Sequence, residues 1–160
     1  MKKTIYTFTL IIAFAFCTNT NVFAQNKLQL GVGAAYGTDI EAVGLQVGAT
    51  YKITEQIRGA ADFIYYFPDG EGITMWEFNI NGHYLFVTED NMIVYGLAGL
   101  NYAKSKFEIG KFSASGSDIG LNVGGGAEFG IGFGAIYAEL KYELGGFEQL
   151  VIDAGIRFGL

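Results

Sequence analysis

Apolar and polar residues alternate along most of the chain, and this period of two predicts β-strands rather than helices. The alternation begins at Leu28 and recurs in segments of about ten residues that are separated by turn-forming residues. Eight such segments follow one another, over residues 28–37, 43–53, 57–67, 76–86, 92–103, 119–129, 135–144 and 150–160. The pattern therefore predicts an all-β protein.

Two of these segments leave an alternative open. Between Met92 and Ala103 both faces are apolar, and we assign the face that carries Asn101 to the interior. Residues 135–144 also fit a helix, because their apolar positions match a helical period and Ala, Glu, Leu and Lys favour helices. Their place between two clear strands favours a strand.

The connections differ in length from one end of the predicted strands to the other. Tight turns are expected at 54–56, 88–91 and 130–134, and mostly longer loops at 38–42, 68–73, 104–117 and 145–149. Such alternation is typical of an up-and-down meander, with turns at one end and loops at the other.

The first 24 residues have the features of a cleaved secretory signal. Lys2 and Lys3 precede an apolar stretch that runs to Phe16, and a small residue, Ala24, stands at the expected cleavage position. The apolar stretch is shorter than the roughly 20 residues that a membrane-spanning helix needs. We therefore predict residues 1–24 as the signal peptide, which contains Cys17, and 25–160 as the barrel domain.

Composition narrows the class of protein. The chain has 160 residues, 24 of them glycine and 16% of them charged, with a net charge of −6. An average soluble domain has about 7% glycine and about 25% charged residues. The apolar content is normal, and only the first two dozen residues contain a long apolar run, which excludes disorder, collagen, coiled coils and helical membrane bundles. The negative net charge argues against a nucleic-acid partner.

The polar face of the strands combines glycine, alanine and asparagine with a few long charged side chains, which suits a narrow lumen better than a water-facing surface. We predict a structural charge network there, with small residues leaving room for ion pairs. Its members are Lys52, Arg58, Asp62, Glu77, His83, Glu128, Glu139, Lys141, Glu143, Asp153 and Arg157.

The opposite face is continuously apolar and carries aromatic residues near the strand ends. One end has Tyr36, Tyr65, Trp76, Tyr102 and Tyr142, and the other has Tyr51, Tyr84, Phe129 and Phe158. Such bands suit the two interfaces of a membrane. Eight strands also match a small closed barrel, which has no open edge in hydrocarbon. A lipocalin-like soluble carrier is the alternative, with the apolar face inward.

Taken together, several features resemble the small outer-membrane β-barrel proteins of the OmpA/OmpX-like eight-stranded class, a porin-family-like barrel. These are the signal ending at Ala24-Gln25, the eight strands with tight turns, the strand over 95–100 and the last strand ending Arg157-Phe158-Gly159-Leu160. The resemblance implies a monomer in the outer membrane of a Gram-negative-type cell. Its implied partners are outer-membrane lipid and the barrel-assembly machinery.

Motifs for chemistry are weak in this chain. The glycine pattern over 130–135 resembles a dinucleotide-binding loop, but it joins two predicted strands and lacks the helix that would hold a pyrophosphate. His83 is the only histidine, and Leu85 stands where lipid A deacylase barrels have a serine. We therefore predict no catalytic, cofactor or metal site. A narrow ion pore and a lipid-modifying enzyme remain alternatives to a non-enzymatic envelope protein.

One predicted loop, 104–117, combines charge with exposed aromatic residues. Its basic and aromatic residues are Lys104, Lys106, Phe107, Lys111 and Phe112. Loops at the mouths of barrels carry many binding functions. This loop is the candidate contact surface for an extracellular ligand, which the sequence does not identify.

Overall fold

The computed structural model describes residues 27–70, 72–110, 112–145 and 147–160, and the predicted signal peptide with Cys17 lies outside them. Within these ranges no helix is long and apolar enough to cross a membrane. The described residues form eight strands: β1 (Leu28–Gly37), β2 (Ala42–Lys52), β3 (Ile57–Phe67), β4 (Ile73–Thr88), β5 (Met92–Ile109), β6 (Phe112–Gly130), β7 (Ala135–Leu144) and β8 (Gln149–Gly159).

The eight strands form one closed antiparallel barrel. Each strand pairs with the next along the chain, and β8 returns to pair with β1, from Gln29↔Gly159 to Gly37↔Val151. The predicted meander and its closure are confirmed. Residues 135–144 are a strand, as predicted, because β6 supplies ladder partners for the whole segment and β8 supplies them for residues 135–143.

Burial alternates along the strands with the phase that the sequence predicts. In β7 every second residue from Ala135 is buried and every intervening residue is exposed. Asn101 of β5 is buried, as assigned, and its neighbours Leu100 and Tyr102 face outward. The outer surface is consequently apolar, and the polar side chains meet inside.

Small residues make the interior narrow enough for side chains to fill it. At Gly124 on β6, for example, an added Cβ would collide with the backbone of Leu140 and Lys141 on β7. Glycine at this position therefore lets the backbones of β6 and β7 lie close together.

The prediction of a loop at 104–117 is wrong, whereas the connections predicted at 38–42, 68–73 and 145–149 are present at 38–41, 68–72 and 145–148. All the connections are short, and the longest, 68–72, has five residues. Residues 104–117, predicted as a loop, are the outer ends of β5 and β6, which pair from Lys104↔Ser117 up to Ile109↔Phe112 around a turn at 110–111. Gly110 takes the positive φ of 60° that such a tight turn requires. The serine- and glycine-rich composition over 113–117 resembles a loop, although these residues form part of a hairpin with a continuous ladder.

Candidate functional site

The barrel lumen gathers nearly all the charged residues that the sequence assigns to it. Arg58, Asp62, Glu77, His83, Glu128, Glu139, Lys141, Glu143, Asp153 and Arg157 are all buried there. Lys52 is half-buried at the end of β2 and forms an ion pair with the exposed Glu55 at 2.6 Å. Lys52 therefore belongs to the rim of the lumen and not to its interior network.

Two arginines from opposite parts of the barrel meet on one carboxylate. Arg58 of β3 contacts Glu128 of β6 at 2.5 Å, and Arg157 of β8 donates to the same Oε1 oxygen. These three residues come from three strands, so the contact spans the lumen. An ion pair that is this buried is stable only when further hydrogen bonds satisfy both partners.

Tyr95 and Glu139 supply those further contacts to Arg157. The guanidinium of Arg157 donates to the Tyr95 hydroxyl at 3.0 Å and to Glu139 at 3.2 Å, and Tyr95 donates to Glu139 at 2.7 Å. The same guanidinium lies 4.1 Å from the centre of the Tyr137 ring. Arg157 therefore links both carboxylates, Glu128 and Glu139, to the two tyrosine rings.

His83 is stacked and hydrogen-bonded inside the same cluster. Its ring lies parallel to the Tyr95 ring at 4.5 Å, and Arg58 Nη2 is 3.1 Å from its Nδ1 atom. An arginine only donates, so Nδ1 accepts and the ring proton resides on Nε2. The contacts give the ring a fixed structural position.

Amide side chains fill the level next to the arginine cluster. Asn122 donates to the amide oxygens of Asn79 and Asn81, both at 2.9 Å, and Asn101 donates to Asn79 at 3.0 Å. Asn79 in turn donates to Asp62 at 3.1 Å. These residues tie strands β3 to β6 together across the lumen.

One lysine lies among the remaining carboxylates. Lys141 Nζ is 3.4 Å from Glu143 and 3.9 Å from Asp62, and Gln149 donates to Glu77 at 2.7 Å and to Glu143 at 3.2 Å. Lys141 is the cation shared by this outer group of acids.

Apolar layers cover this polar interior toward both ends. At the end of the barrel where β1 turns into β2, Ala35, Ala42, Ile64, Tyr66, Met75 and Val151 form one cluster. Ile40 and Phe147, from two neighbouring turns, pack against it. Toward the other end, Leu85, Ile93, Tyr95 and Leu97 form a second cluster. The polar contacts of the lumen therefore lie between two apolar clusters.

The serines lie apart from His83, and the described residues bring together no group of metal ligands. The four serines of the sequence, Ser105, Ser113, Ser115 and Ser117, lie on the β5–β6 hairpin and not beside His83. Among residues 27–70, 72–110, 112–145 and 147–160, no group of His, Cys, Asp and Glu could hold a metal ion. The glycine pattern over 130–135 joins β6 to β7 with a turn, where Gly132 has a φ of 83°.

The candidate contact residues are divided between the two faces of the hairpin. Lys106 forms an exposed ion pair with Glu108 at 2.8 Å, and Lys104 lies opposite Trp76 of β4. Phe107 and Phe112 are exposed, and Lys111 lies outside the described residues. The hairpin thus presents basic and aromatic side chains on opposite faces.

Sequence reasoning missed the neutral members of the network. Tyr95, Tyr137, Gln46 and Gln149 are buried and hydrogen-bonded to the charged groups; Tyr137, for example, donates to Gln46. The signal that could have found them is their position on the inward phase of each strand. A tyrosine on that phase directs its hydroxyl group into the lumen, where the hydroxyl needs a hydrogen-bond partner.

The comparisons with known proteins agree with this architecture. A family model described as "Outer membrane protein beta-barrel domain" matches residues 6–158. Among solved structures, the N-terminal β-barrel domain of Pseudomonas aeruginosa OprF is 16% identical, with a TM-score of 0.70 over 85% of this chain and 98% of that chain. No curated protein sequence matches this chain.

Two further solved structures have the same fold. Neisserial surface protein A is 17% identical, with a TM-score of 0.65 over 83% of this chain and 96% of that one. Ail, the attachment invasion locus protein of Yersinia pestis, is 20% identical, with a TM-score of 0.55 over 82% and 96% of the two chains. At these identities the likeness concerns the fold.

Proposed function

The chain belongs to the outer membrane protein β-barrel family, and on this premise we propose that it is a non-enzymatic barrel whose lumen is closed by its own side chains. The family match confirms the resemblance to the small outer-membrane barrels. The proposed role is to contribute to envelope integrity or to surface contact. Outer-membrane lipid surrounds the barrel, and the barrel-assembly machinery inserts it.

The observation that carries closure is the cluster of Arg58, Glu128 and Arg157, which joins three strands across the lumen. An eight-stranded barrel is only wide enough for side chains to fill. The apolar clusters on both sides of these polar contacts make a continuous file of water molecules through the lumen unfavourable. These contacts favour a plug over the alternative of a narrow ion pore.

The orientation of the barrel in the membrane follows from the shape of its two ends. We place both termini and the turns at 53–56, 89–91 and 131–134 on the periplasmic side. The β5–β6 hairpin, which extends beyond its neighbours, then lies outside the cell. Two proteins of the same fold are named for attachment and for the surface, which supports surface contact as part of the role.

The enzyme alternative requires a nucleophile, a base and an orienting acid in one place. His83 is enclosed by Arg58 and the Tyr95 ring, and the serines lie in the outer hairpin. A lipid-modifying enzyme would therefore need a catalytic residue other than His83. The lipocalin-like carrier conflicts with the family membership.

Planar-bilayer recording tests closure directly. We expect the purified barrel to show no steady ion conductance, because its lumen holds a continuous set of side-chain contacts. Steady conductance that scales with the number of inserted barrels would refute closure. A matched variant, Arg157→Ala, removes the largest side chain of the central cluster, and its conductance should exceed that of the wild type.

Lipid mass spectrometry of cells with and without the protein tests the non-enzymatic role. We expect unchanged lipid A acylation, with altered detergent sensitivity or adhesion when the protein is absent. A change in acylation that disappears in a His83→Ala variant would overturn the proposal. Gel migration of that variant before and after heating establishes that it folds.

A further inference from the structure

The acidic and basic side chains inside the lumen do not balance. In the part of the chain that the structure describes, six buried acidic side chains share the lumen with three buried basic ones. The acids are Asp62, Glu77, Glu128, Glu139, Glu143 and Asp153, and the bases are Arg58, Lys141 and Arg157. His83 adds no charge, because its Nδ1 atom accepts from Arg58. With every acid ionised, a lumen enclosed by apolar walls would hold three uncompensated negative charges.

Four of the six acids lie within ion-pair distance of an arginine or of Lys141, at 3.9 Å or less. They are Asp62, Glu128, Glu139 and Glu143. Glu77 and Asp153 have no cation within that distance among the residues that the structure describes. Both side chains are fully buried, with 0% of their surface exposed. The excess of negative charge therefore falls mainly on these two residues.

The surroundings of Asp153 are the least suited to a negative charge. Neither of its carboxyl oxygens has a hydrogen-bond partner among the described residues. Its ladder neighbours are Ala35 of β1, which is apolar, and Glu139 of β7, which is another acid. Burying an isolated carboxylate costs so much free energy that such a group takes up a proton instead. A neutral carboxyl group at the same position costs far less.

Glu77 shares its hydrogen-bond donor with a second carboxylate. Gln149 Nε2 donates to Glu77 Oε1 at 2.7 Å and to Glu143 Oε2 at 3.2 Å, so one amide nitrogen contacts both acids. The Tyr66 hydroxyl donates to the other oxygen of Glu77 at 3.3 Å. These donors are neutral, and two carboxylates that share a site repel each other. A proton on Glu77 removes the repulsion and leaves Glu143 as the anion that Lys141 contacts.

Further charged and titratable groups face the two sites from the neighbouring strands. They are Asp62 and Tyr66 of β3, Asp118 of β6, and Tyr137, Glu139, Lys141 and Glu143 of β7. The inward residues of β1, β2 and β5 at these levels are neutral, such as Ala35, Gln46 and Asn101. Lys141 is the cation in this set, and it already contacts Glu143 and Asp62. The acids around the two sites therefore outnumber the cation that could neutralise them.

We propose that the folded barrel binds two protons in its lumen at neutral pH, one on Glu77 and one on Asp153. The unfolded chain has both groups ionised at neutral pH. Each carboxylate therefore takes one proton from water as the barrel folds, and an O–H bond forms on one of its oxygens. A metal ion is the alternative counter-charge, but no group of acids among the described residues has the arrangement to hold one. The proposal rests on the closed lumen proposed above.

Infrared spectroscopy of the barrel in phosphatidylcholine vesicles tests for the protons directly. A protonated carboxyl group has a C=O stretching band that an ionised carboxylate lacks. We expect this band in the wild type at neutral pH, and we expect Glu77→Gln and Asp153→Asn each to remove a separate component of it. Glu139→Gln is the matched control, because Glu139 is also buried but contacts Arg157 at 3.2 Å. That variant should leave the band unchanged.

Proton uptake on folding also makes the stability of the barrel depend on pH. Because the folded state binds more protons than the unfolded one, their contribution is complete below about pH 4 and is lost as the pH rises, until the folded groups release their protons. Each retained proton raises the unfolding constant about tenfold per pH unit in this range. The double variant Glu77→Gln, Asp153→Asn should lack this term.

Urea unfolding in the same vesicles measures the difference between the two proteins. Above about pH 5, and as long as the infrared band persists, the unfolding constant of the wild type should rise about 100-fold more per pH unit than that of the double variant. His83 is present in both proteins, so its own titration cancels in the comparison. Gel migration before and after heating establishes that each variant folds, and the wild-type spectrum decides the proposal if a variant does not.

Three results would overturn the proposal. They are absence of the band in the folded wild type at neutral pH, an unchanged band in both single variants, and equal pH dependence of wild type and double variant. A missing band together with stability that rises with sodium or magnesium concentration would replace the protons by a metal ion. Planar-bilayer recording is a separate measurement, so a barrel without conductance and without the band refutes the protons and leaves closure standing.

Discussion

Replacing Arg157 by leucine should destabilise the barrel by about 3 kcal/mol. In the described part of the chain Arg157 is the only cation within ion-pair distance of Glu139, so its loss leaves that buried carboxylate without a counter-charge. Removing one partner of a buried ion pair costs about 3–5 kcal/mol. We expect the lower end of that range, because Glu128 keeps Arg58 at 2.5 Å and Glu139 keeps the Tyr95 hydroxyl at 2.7 Å.

Urea unfolding of the barrel in lipid vesicles measures this effect. Trp76 is the only tryptophan, and its fluorescence reports on transfer from the bilayer to water. With a slope of about 2 kcal/mol per molar urea, the midpoint should fall by about 1.5 M. Lys106→Met is the matched control, because the Lys106–Glu108 pair is exposed and such pairs contribute about 0–1 kcal/mol.

A double-mutant cycle separates the ion pair from loss of packing. Adding Glu139→Gln to Arg157→Leu removes the stranded charge, so the double variant should recover at least about 1 kcal/mol relative to Arg157→Leu alone. A midpoint shift below about 0.5 M, or no coupling between the two substitutions, would refute the view that a dry ion pair holds this part of the lumen together.

Three further expectations follow from the same structure. Tyr95→Phe removes a hydroxyl that bonds both Glu139 and Arg157, and it should cost about 1–3 kcal/mol in the urea assay. Gly124→Val should abolish the heat-modifiable folded band, because a side chain there meets the β7 backbone, whereas Gly82→Val, where the nearest atom is 3.8 Å from an added Cβ, should fold. Trp76 lies on the outer surface among aromatic residues near the strand ends, so lipids brominated near the headgroup should quench its fluorescence more than lipids brominated at the chain ends.

The inward or outward direction of each side chain could be predicted from the sequence, because a strand obeys a period of two. Arg157 and Glu128 fall on the inward phase of their strands, and the structure buries both. Between Met92 and Ala103 both faces are apolar, and Asn101 alone indicates which face points inward. One such residue is enough, because burying an unpaired amide in lipid is costly.

The partners across the lumen could not be predicted in the same way. Arg58 and Glu128 are 70 residues apart, and they meet because the stagger of the closed barrel brings β3 and β6 to one level. No local pattern encodes that stagger. The full length of β5 and β6 could not be predicted either. The polar sequence over 113–117 resembles a loop when only apolar alternation is used to find strands.

The pairing of β1 with β8 has a consequence for the rate of folding. Every other ladder joins strands that are neighbours in the chain, whereas this one brings residue 30 to residue 158. The entropy lost on closing a loop grows with its length, so the seven hairpins can form before this last ladder does. Closing the seam is then the slow step, and substitutions along β1 and β8 should slow folding, whereas those elsewhere should mainly speed unfolding.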